Sequence, residues 1–223
     1  MGMGVGQEQN VEAAKTTRQM LYWMAVCATV LGALYFLGLA GKLIVNGTVH
    51  ALSSQSIEVA AAIVAIAWNV VLLVMFAALR REYSGGRPLF TELALIFMLL
   101  VCATSSVNWF VQLAVLPRLA VGDPSALAML DSHNELSIPY AMEHLGWGLF
   151  YGLAALFAAA GISGGRLERR IRWLLAAGGM LSLLHFAGVI VASPLLGDLG
   201  YMAWGVLLPL STALLAARYR KEI

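Results

Sequence analysis

Long apolar runs, each about 20 residues, constrain this chain more than any other feature, because that is the length a helix needs to cross the hydrocarbon of a bilayer. Six such runs can be read, over 20–45, 57–79, 89–116, 137–162, 172–193 and 201–217. Strands of that length are rare, and a soluble core has no room for so much oil. Charged residues make up only 12% of the 223 residues, about half the share of a soluble domain. The sequence therefore predicts an all-α polytopic membrane protein: a six-transmembrane-helix bundle over 20–217, with a polar leader over 1–19 and a basic tail over 218–223.

Charge placement supplies an orientation. Lys15 and Arg18 precede the first run, Arg80, Arg81 and Arg87 follow the second, and Arg166, Arg169, Arg170 and Arg172 lie between the fourth and fifth. Arg218, Arg220 and Lys221 follow the sixth, whereas only Lys42 and Arg118 fall at opposite ends. Positively charged loops stay in the cytoplasm, so both termini are expected there and the protein is expected to be multi-pass in the cell membrane. The formal charge of +2 reflects these basic rims. No basic stripe with interleaved aromatics suggests nucleic acid as a partner; the bilayer is the partner the composition demands. The leader reads as frayed and the first run as a retained anchor, since no convincing small-residue cleavage site follows it. Cys27 and Cys102 both fall inside runs, where neither a disulfide nor a metal motif is expected. Asn46-Gly47-Thr48 fits a glycosylation sequon. In the loop over 117–136, Asp123-Pro124 marks a turn, and 125–130 could form a short helix on the membrane surface.

Two short matches hint at a parallel hairpin repeat. Val26-Cys27-Ala28-Thr29 recurs as Val101-Cys102-Ala103-Thr104, and Ser84-Gly85-Gly86-Arg87 recurs as Ser163-Gly164-Gly165-Arg166.

Glu143 and His144 stand side by side where oily residues are expected, and a group that loses its hydration needs a partner or a neutral form. His144 lies about seven residues in from the outer end of its run, and Asn108 and His185 about eight in theirs, so the three share a level roughly 10–12 Å below the outer surface. His144, Gly148 and Gly152 recur every four residues and so share a helix face, with the glycines admitting a close neighbour. Glu143, Trp147 and Phe150 form the adjacent stripe, joined by Tyr140 one turn outward. Pro209 should kink the last run and open space beside the bundle. These placements predict a cup, open outward, whose candidate ligand-binding residues are Glu143, His144, His185, Asn108, Gln112, Trp147, Trp109 and Tyr140. Each has a plainer explanation. Rim Trp and Tyr anchor interfaces, Asn108 could bond a neighbouring helix, and Glu143 could be satisfied by an imidazole that locks two helices. Lys42 could snorkel, and Glu58 could sit at a helix start.

Three segments resemble an uncharacterised bacterial family of six-span integral membrane proteins, classed as a domain of unknown function. They are Arg18-Gln19-Met20-Leu21-Tyr22, then Leu130-Asp131-Ser132-His133-Asn134 leading into 148–157, and Arg170-Ile171-Arg172-Trp173-Leu174 followed by Gly178-Gly179. The resemblance implies a six-helix bundle and carries no activity with it.

Several function classes remain. One is a module that binds, senses or transports a small amphipathic or lipid-like molecule in the outward cup. Another is a membrane enzyme using Glu143 with His185 or His144 as acid and base, or as metal ligands. Adjacent helical residues point about 100° apart, which makes one shared metal awkward for Glu143 and His144. Haem held between His144 and His185 is a further alternative, and a structural or partner-binding protein another. No catalytic residue, metal or cofactor is assigned.

Overall fold

The computed structural model of the chain describes residues 5–46, 55–119, 124–132 and 134–222. Among these residues every regular element is helical, and seven helices form. They are α1 (Val5–Asn46), α2 (Gln55–Glu82), α3 (88–119), the short α4 (Pro124–Leu130), α5 (Ile138–Gly161), α6 (Arg166–Ile190) and α7 (Pro194–Tyr219). All but α4 are long and apolar enough to cross a membrane. The sequon at Asn46-Gly47-Thr48, the Asp123 half of the expected turn, His133, and the side chains of Lys42 and Glu58 lie outside the described residues.

The helices overrun the apolar runs. α1 starts at Val5, so most of the leader expected to fray is helical, and α6 starts at Arg166 rather than at 172. The physical reason is that an apolar run marks only the part that must avoid water. Stretches such as Val11-Glu12-Ala13-Ala14-Lys15 are good helix formers and prolong the rod beyond it.

Consecutive long helices pack side by side, and α7 returns to α1, so α1, α2, α3, α5, α6 and α7 close a ring. Its centre is filled by Trp68 and Leu72 from α2, Met98 from α3, Trp147 and Tyr151 from α5, and Leu208 from α7. Close approach is set by small residues. An added Cβ at Gly152 would meet Leu183 at 2.9 Å and the Gly179 carbonyl at 3.1 Å, and one at Gly179 would meet the Gly152 carbonyl at 2.7 Å. α5 and α6 therefore touch backbone to backbone.

The basic end is fastened as well as charged. Arg18 Nε donates to Glu82 at 3.0 Å, Arg87 to the Ala160 carbonyl at 3.3 Å, and Arg172 to the Ala159 carbonyl at 3.1 Å. Glu168 is buried; it takes Arg218 of α7 and the Gly165 N–H that opens its own helix. The two Ser-Gly-Gly-Arg turns sit together here, with Gly86 beside Ser163. Of their glycines only Gly164 adopts a positive φ, so the two turns differ in backbone despite their shared sequence.

Candidate functional site

The polar layer is built where three helices change pitch. The N–H groups of Leu116 in α3, Tyr151 in α5 and Leu208 in α7 reach back five residues, to the carbonyls of Val111, Gly146 and Ala203. Each π turn holds one extra residue and re-aims the side chains around it. Asn108 and Gln112 flank or enter the first turn, Glu143, His144 and Trp147 the second, and Trp204 lies in the third. In α7 the turn also absorbs Pro209, which has no N–H and would clash with a regular preceding turn. The space expected beside Pro209 is occupied: its ring packs against Gly32 of α1, where an added Cβ would lie 3.1 Å away.

Glu143 and His144 face different neighbours, as their divergence on a helix requires. Asn108 Nδ2 of α3 donates to Glu143 Oε2 at 2.8 Å. His144 Nδ1 meets His185 Nε2 of α6 at 2.8 Å, and Tyr140 packs on the His144 ring with centroids 4.0 Å apart. Two links are thus formed across the helices, an amide on the carboxylate and an imidazole on an imidazole. His185 Nδ1 bonds the Gly197 carbonyl. That carbonyl is freed because α7 breaks at Asp198, where Tyr201 N–H turns to the Asp198 carbonyl instead. A turn through Ala192, at φ 51°, brings this break over the end of α6, with Ser193 N–H closing onto the Gly188 carbonyl at 2.8 Å.

The chain of bonds fixes the tautomers. A carbonyl only accepts, so His185 Nδ1 carries a proton and donates it. In a neutral ring Nε2 then accepts, so His144 must donate from its own Nδ1. The pair is a directed wire running His144 to His185 to Gly197. The two rings are bonded directly to each other. Among the described residues no three His, Cys, Asp or Glu side chains converge to hold a metal ion.

The remaining candidates fall into two groups. Asn108, His185 and Trp147 are sealed, whereas Glu143, His144, Tyr140, Trp109 and Gln112 are half-buried. Gln112 ties α3 to the end of α4 and the segment after it, donating to the Leu130 carbonyl at 2.8 Å and accepting from Ser132 N–H at 3.4 Å. Trp147 is a core residue and not an interface anchor: it stacks on Trp68 at 5.4 Å, meets Trp204 at 6.1 Å and Tyr151 at 5.6 Å, and donates to Ser105 Oγ at 3.3 Å. Trp109 meets Tyr35 of α1 edge-on at 6.2 Å.

Sequence reasoning noticed Asn69 near the middle of its run but not the layer it belongs to. Asn69 Nδ2 donates to Ser105 Oγ at 3.0 Å, and the Cys102 thiol to the Asn69 carbonyl at 3.0 Å. Among the described residues, Trp68 Nε1, Asn69 Oδ1, Asn108 Oδ1, Tyr151 Oη, Ser182 Oγ and Trp204 Nε1 are buried with no hydrogen-bond partner. A signal existed: Ser105 and Ser182 each precede a candidate, Asn108 and His185, by three residues and so share its helix face.

Fold and site together define a bundle of six long helices compatible with a multi-pass integral membrane protein, with polar side chains buried among its apolar helices. The chain matches no family model, no curated protein and no solved structure.

Proposed function

We propose that this is a multi-pass protein of the cell membrane, with both termini cytoplasmic, and that its polar layer binds a small amphipathic or lipid-like molecule from the outer side. The observation that carries the reading is the coincidence of three π turns, in α3, α5 and α7, with the level of the polar side chains. Such turns weaken local hydrogen bonding and recur where a helix must present side chains to a function.

The chemistry of the layer suits a molecule with a hydrogen-bonding head. Asn108 Oδ1 offers an acceptor beside Glu143, and Trp204 Nε1 a donor beside His185. Tyr140, Trp109 and Tyr201 supply apolar faces toward the half-buried side. Inward of the Asn69–Ser105 contacts the wall is mainly apolar, with Met75, Phe76, Leu79 and Leu215 beside Ser211 and Thr212. That floor favours binding or sensing over passage.

The test is native mass spectrometry of the protein released from mild detergent, with Asn108→Leu alongside. An added mass on the wild type that is lost in the variant supports the site. Identical bare chains would reject it and leave Asn108, Glu143 and the histidine pair as helix-to-helix fasteners.

A further inference from the structure

Glu168 is the only acid between His144 and Gly197, and it is turned inward, onto Arg218 and the Gly165 N–H. Arg166, Arg169 and Arg170 are left on the other side of α6. At about 100° per residue they share one arc with Trp173, opposite the buried Glu168, Ile171 and Leu175. All four are exposed, Trp173 at 72%. Among the described residues, none of the three guanidiniums has a hydrogen bond or an ion pair. Other arginines at this end are engaged. Arg18 is on Glu82, Arg80 on Glu92 and Arg218 on Glu168, and Arg87 and Arg172 donate to backbone carbonyls.

Charges that only set topology need no common face, because the positive-inside rule counts them wherever they lie around a helix end. These three share one, and they do so in the first turns of α6, where the helix's own dipole disfavours cations. Further along, the same face changes character in the order a phospholipid does. Trp173 comes within a turn of Arg170, and then Met180 and Leu184 are exposed at 52% and 42%. At 1.5 Å per residue Trp173 lies about 5 Å and Leu184 about 21 Å beyond Arg170. The guanidiniums thus stand at phosphate level, the indole at the interface that Trp favours, and the apolar side chains along an acyl chain.

We propose that this face of α6 holds an anionic phospholipid of the leaflet at the basic end, with Arg166, Arg169 and Arg170 on its phosphate and Trp173 against its glycerol backbone. A zwitterionic lipid carries its own ammonium and is held less. The proposal takes the bundle to span a membrane; it needs neither the orientation nor the ligand of the polar layer.

Native mass spectrometry tests it, on the full chain in mild detergent with equal amounts of phosphatidylglycerol and phosphatidylcholine of matched chains. Each cation near an anionic headgroup is worth roughly fivefold, so the wild type should retain phosphatidylglycerol in preference by at least about tenfold. Joint Arg166→Gln, Arg169→Gln and Arg170→Gln should abolish most of that preference. Joint Arg81→Gln, Arg220→Gln and Lys221→Gln removes the same charge from the same end and should keep it. Trp173→Ala should lower phosphatidylglycerol retention with the charges intact. Should the α6 triple variant not fold, the three single substitutions carry the test, each at an exposed position and each expected to reduce the preference several-fold. No preference in the wild type overturns the proposal. So does an equal loss in the two triple variants, since net charge alone would then explain it, or an unchanged preference in all three single variants.

Discussion

His185 shows how one side chain is fixed by what lies on either side of it. The Gly197 carbonyl dictates a proton on Nδ1, and that choice makes Nε2 an acceptor for His144. Both neutral rings should therefore carry their proton on Nδ1, the less common tautomer in water. Nitrogen-15 spectra of site-assigned histidines would check this, and an Nε2–H tautomer at His185 would contradict the geometry. The sequence made these residues visible, because an ionisable group in an apolar run stands out. It did not reveal their partners. Glu143 was as able to take an imidazole as an amide, and only the rotation of α5 against α3 and α6 gives it Asn108.

At the scale of elements, the junction of α5 and α6 depends on the absence of side chains. Gly148, Gly152 and Gly179 let the two backbones meet, which in turn holds His144 within reach of His185. An added Cβ at Gly148 would lie 2.9 Å from Phe186 Cβ and 3.3 Å from the His185 ring. Gly152→Leu should thus cost at least about 1–3 kcal/mol by overpacking. It should also loosen the histidine pair, seen as lower Tm and altered histidine shifts. Gly38, with nothing within 4 Å of an added Cβ, provides the control: Gly38→Ala should leave Tm unchanged or slightly raised. The small-residue spacing was legible in the sequence. The π turns were not, since no residue pattern marks an extra residue in a helix and Pro209 alone predicts a kink rather than a widened turn.

Across the whole molecule the arginines do two jobs. All but Arg118 gather at one end of the bundle, and several of them also bind acceptors there, Arg18 on Glu82, Arg87 on the Ala160 carbonyl and Arg218 on Glu168. If that end is cytoplasmic, single cysteines at Ser84 or Ser163, in a chain lacking Cys27 and Cys102, should resist a membrane-impermeant thiol reagent on intact cells. A cysteine at Ser125, exposed in α4, should react. Labelling at Ser84 but not at Ser125 would invert the topology.

The number of long helices, their apolar character and the gathering of charge at one end were determined by the sequence alone, because each follows from composition over a window of about 20 residues. Helix ends, π turns and hydrogen-bond partners were decided only by the tertiary structure. They depend on which face of one helix meets which face of the next, and in a chain apolar all round no local pattern says which face that is.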